Sequence, residues 1–225
     1  MGNSTILNIY QTLHCYYGNL NWWPAETPYE VMVGAVLTQN TAWGNVEKAI
    51  ANFADLSPQF VQECELAELA EVIRPAGFFN QKAAYLKTVT EWFAKYNFDV
   101  TAVQGKPLGK LRPELLAVKG VGKETADSIL LYAFGFPTFV VDAYTARLCE
   151  RYPIDTGKGY DSIKAYFENN LPRDAVLFNN YHAVIVINSK EHCRKSKPMC
   201  WKCPLSENCG KFCNGTVVGS VSCGG

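Results

Sequence analysis

The chain has 225 residues and no formal net charge, with 21 Lys and Arg balancing 21 Asp and Glu. A composition that is 48% hydrophobic and 13% aromatic excludes a disordered protein, and this length can bury a substantial core in one domain or two small ones. No apolar run is long enough to span a bilayer, and MGNSTILNIYQTLHCYYG lacks the basic start and apolar block of a signal peptide, so a cytoplasmic protein without a membrane partner is expected (with the nucleoid, if prokaryotic).

Ile6, Leu7, Ile9, Tyr10, Leu13 and His14 recur at helical spacing and predict an amphipathic first helix. In TPYEVMVGAVLTQN, Thr27 is the expected N-cap, Pro28 takes the first helical position and Glu30 follows in the first turn. Its Val31–Leu37 run is nearly all apolar, so this helix is central. WGNVEKAIANF predicts the next helix, Ser57-Pro58 opens another, and ELAELAEVI follows before Pro75-Ala76-Gly77 breaks the chain. NQKAAYLKTVTEWFAKY sets Ala83, Leu86, Val89, Trp92 and Phe93 on one side of a longer helix. RPELLAV and KETADSILLYAFG flank a glycine turn, and DAYTARLCERY and DSIKAYFENNL come next. LFNNYHAVIVINSKEHC is rich in β-branched residues, which favour strands; in so helical a chain it is expected as a buried helix. The class is all-α.

Charge is unevenly placed. Five acids and no Lys or Arg lie between Ala51 and Ile73, five bases against one acid between Gln104 and Lys123, and six bases against two acids between Lys190 and Lys211. A neutral chain can therefore present a basic face to an anionic partner. Of the nine cysteines, Cys15, Cys64 and Cys149 read as buried thiols. Cys193, Cys200, Cys203 and Cys209 form C-x6-C-x2-C-x5-C, a grouping that suits metal more than disulfides. Arg194, Lys195, Lys197 and Lys202 around them are expected to lower the thiol pKa values and favour thiolate ligands. Zinc and an iron–sulfur cluster both fit the cysteines taken alone.

LAVKGVGKETAD raises the functional question. Gly120 and Gly122 let backbone approach a phosphate at the start of the next helix, with Lys119 and Lys123 adding charge and Thr125 in its first turn. An ordinary turn between helices also needs glycine. The wider context favours the phosphate: LLAVKGVGKETADSILLYAFGFPTFVVDAYTARL resembles the helix–hairpin–helix and following aspartate of the endonuclease III superfamily of DNA glycosylases. GFFNQKA at Gly77–Ala83 and the cysteine spacing at Cys193–Cys209 resemble further family segments, so the resemblance runs over about residues 5–210. It implies a two-lobed helix–hairpin–helix glycosylase fold with a C-terminal iron–sulfur cluster loop. The expected domains are a helical barrel at 24–135 with the helix–hairpin–helix at about 111–132, and a cluster domain of 1–23 plus 136–213, followed by a flexible tail at 214–225. It also implies a monomer acting on double-stranded DNA with damaged bases, and a [4Fe–4S] cluster on Cys193, Cys200, Cys203 and Cys209.

Asp142 matches the family's catalytic aspartate, which activates the attacking nucleophile and stabilises the cationic sugar as the base leaves. It can also cap the following helix. Bifunctional members carry a lysine two residues after the second hairpin glycine; here that position is Glu124, with Lys123 about 100° away around the helix. A glutamate forms no imine, so hydrolysis without strand cleavage is expected. NWWPAETPYE and LTQNTAW look like the 3-methyladenine DNA glycosylase branch, with Trp22, Trp23, Pro24 and Trp43 as the lesion-base pocket and Gln39 or Asn40 filling the gap in the duplex. Indole faces attract a cationic alkylpurine, which also leaves readily. The alternative is an endonuclease III-like glycosylase/AP lyase for oxidised pyrimidines. Less favoured are an adenine-mismatch glycosylase and a non-catalytic iron–sulfur DNA-binding protein, for which Asp142 would have no task.

Overall fold

The computed structural model describes residues 2–20 and 22–210. The expected tail at 214–225, with Cys213 and Cys223, lies outside the described residues. The chain divides into two compact units: Trp23–Phe136, and the described parts of Met1–Trp22 with Pro137–Gly225. The first helix, α1 (Gly2–Tyr17), belongs to the second of these. No described helix is long and apolar enough to cross a membrane.

The Trp23–Phe136 unit is built from α2 (Pro28–Leu37), α3 (Trp43–Ala51), α4 (Pro58–Glu63), α5 (Leu66–Val72), α6 (Phe79–Ala94), α7 (Val100–Gln104), α8 (Leu108–Leu116) and α9 (Lys123–Ser128). Thr27 caps α2 by accepting from Glu30 N, and Ser57 caps α4 from Phe60 N. Val31 to Leu37 are all buried, as a helix apolar on every side must be. On α6 the inward residues are Ala83, Leu86, Val89, Trp92 and Phe93. Two features were not read from sequence: the short α7, capped by Asp99, and a π turn at Ile129–Ala133 that prolongs α9.

The other unit joins α1 to α10 (Ala143–Arg151), α11 (Tyr160–Asn170) and α12 (Ala175–Glu191). The β-branched segment is helix α12, capped by Asp174, with Phe178 and every residue from Asn180 through Val186 buried. Burial on all sides overrides strand propensity here. Tyr181 on α12 donates to Ile6 O of α1 at 2.7 Å, and Phe139 stacks on Phe167 of α11 with ring centroids 4.2 Å apart. Lys164 and Glu168, paired at 2.5 Å on α11, hold both backbone groups of Phe139: Glu168 Oε1 accepts its N–H at 2.8 Å and Lys164 Nζ donates to its carbonyl at 3.3 Å. The approach to Asp142 is fixed by that pair. Cys64 and Cys149 are buried as expected, whereas Cys15 is half-buried and, contrary to the expected thiol, disulfide-bonded.

Candidate active site

The glycine turn lies between α8 and α9. Gly120 has φ +90°, and a Cβ there would stand 2.2 Å from the Tyr85 ring, so only glycine fits. Gly122 has φ −86° and open space around it. Arg112 of α8 grips the fully buried Asp127 of α9 with two bonds, Nε to Oδ1 at 2.9 Å and Nη2 to Oδ2 at 3.0 Å, which fixes the angle between the two helices. Lys119, Lys123 and Glu124 are exposed, whereas Thr125 is buried.

The loop after α2 is tied to this turn. Gln39 Nε2 donates to Gly120 O at 2.9 Å and to Thr125 Oγ1 at 3.0 Å. Gln39 is thereby turned inward, while Asn40 is exposed on left-handed backbone at φ +51°. Lys82 supports the loop from behind. It is 2% exposed, and Nζ donates to Leu37 O, Thr41 Oγ1 and Ala76 O at 2.7, 2.6 and 2.9 Å. Burial pushes its amine down to about 8, yet all three donors are engaged, so Lys82 is a strut and not a free nucleophile. Phe78, passed over in the sequence, is 68% exposed at φ +48°. An exposed aromatic on left-handed backbone carries strain of the kind that clusters at functional sites.

The tryptophans part company. Trp23, also left-handed at φ +56°, packs on Gly34, where a Cβ would come within 3.1 Å of Nε1. Its ring meets Trp43 edge-on at 5.5 Å and Tyr132 at 5.1 Å. Tyr132 sits on the π turn and was not singled out in the sequence; its one signal was a polar-tipped ring within ILLYA. Pro24 is exposed. Trp22 belongs to the other unit, with Lys190 Nζ 5.7 Å from its ring centroid.

Asp142 caps α10, its Oδ1 accepting Thr145 N at 2.8 Å. Its Oδ2 stands 3.4 Å from Nε2 of His182 on α12. Burial alone would raise this carboxyl, but the His182 imidazole beside Oδ2 and the Thr145 N–H on Oδ1 outweigh it and hold the group below the usual carboxylate range. It is an anion at neutral pH.

Cys193, Cys200, Cys203 and Cys209 are in no disulfide and are half-buried in the same unit. Arg151 Nη1 donates to Cys193 Sγ at 3.2 Å, Cys203 Sγ donates to Asn188 Oδ1 at 3.6 Å, and Cys193 and Cys209 lie near enough to Cys203 to act on it electrostatically. The basic neighbours do not lower the Cys203 thiol as expected: burial dominates and pushes it up to about 11. Among the described residues no three His, Cys, Asp or Glu side chains converge as they would on a single ion.

The HhH-GPD superfamily of base excision DNA repair proteins matches residues 33–173, a span that takes in the hairpin, Lys82 and Asp142. The chain belongs to that superfamily and is a DNA N-glycosylase. It is 50% identical over 210 residues to a protein of Methanocaldococcus jannaschii assigned as a DNA repair glycosylase, covering 91% of this chain and 95% of that one. Endonuclease III of Haemophilus influenzae is 27% identical over 187 residues, 82% of this chain and 84% of the relative. The solved structure of H. pylori 3-methyladenine DNA glycosylase bound to 1,N6-ethenoadenine matches with a TM-score of 0.69 and 29% identity, over 82% of this chain and 95% of that one.

Proposed function

We propose that the chain hydrolyses the N-glycosidic bond of a damaged pyrimidine flipped out of duplex DNA, as an endonuclease III-like glycosylase that leaves the strand intact. Asp142 carries this reading. A neutral pyrimidine is a poorer leaving group than a cationic alkylpurine, so its release needs a fixed anion beside the developing sugar cation. Asp142 is such an anion, with Oδ1 held by Thr145 N and Oδ2 facing the His182 imidazole. The likeness to endonuclease III over 82% of the chain moves this substrate class ahead of the alkylated purines that the tryptophans first suggested. The alkylpurine reading keeps one observation in its favour, the Trp23, Trp43 and Tyr132 cluster, together with the likeness to the H. pylori enzyme.

The strand stays intact because Glu124 occupies the lysine position of the hairpin and the three donors of buried Lys82 are already engaged. Lys119, Gly120, Gly122 and Lys123 hold DNA phosphate without reading sequence. Asn40 and Phe78, both exposed on strained backbone, enter the duplex where the base has left. Cys193, Cys200, Cys203 and Cys209 hold a [4Fe–4S] cluster whose task is to cross-link the C-terminal loop. The protein works as a monomer in the cytoplasm.

The test is a set of duplexes bearing thymine glycol, uracil, 3-methyladenine or 7-methylguanine, with released base scored separately from strand breakage. Release of a pyrimidine lesion from an unbroken strand is expected. Release of the alkylpurines alone would replace this reading with the second one.

A further inference from the structure

Capping α10 requires only one oxygen of Asp142, and Oδ1 meets that need through Thr145 N at 2.8 Å. The other oxygen, Oδ2, faces Nε2 of His182 at 3.4 Å. His182 is 5% exposed, in the middle of a helix that is otherwise aliphatic and aromatic at its buried positions apart from Asn180, Asn188 and Ser189. A buried imidazole is costly there unless something nearby rewards its polar edge.

We propose that His182 is the positioning residue for Asp142, holding Oδ2 so that the carboxylate stays charged and fixed in rotamer while the sugar cation develops. This rests on the reading of Asp142 as the catalytic carboxylate, and deepens it. The bond from C1′ to the base nitrogen breaks, and its electron pair leaves with the base. The positive charge on the sugar faces Asp142, a water oxygen bonds to C1′, and the water's proton passes to solvent. A carboxylate held below its usual range is a weak base but a persistent anion, so the pairing suits stabilising the cation more than removing the proton.

Other titratable groups on the elements packed around this pair are engaged elsewhere, buried or exposed: on α11, Lys164 pairs with Glu168 and burial raises the Tyr166 hydroxyl, and on α10 the Tyr144 ring lies against the Arg147 guanidinium. On α1, His14 and Tyr10 meet Asn180, and Tyr17 donates to Glu191. On α10, Arg147 donates to Cys193 O and Arg151 to Cys193 Sγ and Arg194 O, Glu150 is exposed, and burial pushes the Cys149 thiol up to about 12.

The decisive measurement is the pH titration of the Asp142 carboxyl carbon by NMR in the full chain labelled with carbon-13 aspartate, the resonance being assigned by its loss in Asp142→Asn. In His182→Gln the neutral amide replaces the imidazole, and the carboxyl midpoint should rise by about one pH unit, a tenfold change in proton affinity. His182→Ala should raise it further. An unchanged midpoint in His182→Gln would overturn the proposal, and the Gln variant carries the test if the Ala variant does not fold. Single-turnover base release separates this proposal from the reading beneath it. If Asp142→Asn is inactive while His182→Gln keeps the wild-type rate and acid limb, His182 has no positioning role. If Asp142→Asn retains activity, the assignment of Asp142 itself fails, whatever the titration shows.

Discussion

The side-chain amide of Gln39 bridges Gly120 O at 2.9 Å and Thr125 Oγ1 at 3.0 Å, so one group joins the loop after α2 to the turn and to the helix beyond it. Removing it leaves two acceptors unsatisfied in a half-buried place, at a cost of about 1–2 kcal/mol. Gln39→Ala should lower the melting temperature and weaken binding to damaged and undamaged duplex alike, because the hairpin loses its support. Asn40→Ala should spare affinity for undamaged duplex and reduce the preference for a lesion. Melting curves and fluorescence anisotropy distinguish the two. Identical behaviour of both variants would mean that the loop does not divide its work in this way.

The two hairpin glycines should respond differently to alanine. At Gly120 the left-handed backbone and the Tyr85 ring both oppose a Cβ, so Gly120→Ala should destabilise by on the order of 2–4 kcal/mol. At Gly122 nothing lies within 4 Å and φ is −86°, so stability should change by less than about 0.5 kcal/mol. Any loss of DNA affinity in Gly122→Ala then reports phosphate approach and not folding. Chemical denaturation beside DNA titration checks both.

The Arg112–Asp127 pair makes a third test. Asp127 is fully buried and accepts both bonds of the guanidinium. Asp127→Ala leaves Arg112 without its carboxylate at the base of the hairpin and should cost about 3 kcal/mol or more, with a parallel loss of DNA affinity. Arg112→Lys should not rescue it as a conservative change, because an ammonium cannot reproduce the forked geometry. Equal stability of wild type and Arg112→Lys would show that only charge matters here.

How legible the molecule was in its sequence depended on the range of the interaction. Thr27 and Ser57 announced helix starts because a cap acts within four residues. Helix α12 was legible only from its context, since its Val and Ile residues favour a strand locally. Adjacent Trp22 and Trp23 were not expected to share one interior, but which of them joins which unit could not be read, because Trp22 meets Lys190, far away in sequence, while Trp23 packs on Gly34. His182 gave no signal either: a lone imidazole in NNYHAVIVIN reveals its purpose only when folding brings Asp142 to it. Gln39 and Asn40 looked interchangeable in sequence, and the hydrogen bonds to the hairpin separate them. The Cys203 thiol misled for a related reason, as counting nearby charges ignored the burial that outweighs them.

The cysteine assignment has its own test. Protein purified under reducing, anaerobic conditions should be brown and hold about four irons, the stoichiometry of an all-cysteine four-iron centre. Ser at Cys193, Cys200, Cys203 or Cys209 should lose the colour and weaken DNA binding, whereas Ser at Cys64 should leave both intact. Colourless, zinc-loaded protein with full activity would contradict the cluster.

The central claim is release of the base by hydrolysis at Asp142, without a lysine nucleophile. It is tested most directly by reacting wild type and Asp142→Asn with a duplex carrying thymine glycol in the presence of borohydride, and resolving free base, intact abasic strand, broken strand and protein–DNA adduct. The account predicts free base and an intact abasic strand from wild type, no adduct, and a loss of about 100-fold or more in Asp142→Asn with DNA binding retained. A trapped adduct with a broken strand, or an Asp142→Asn variant as active as wild type, would contradict it.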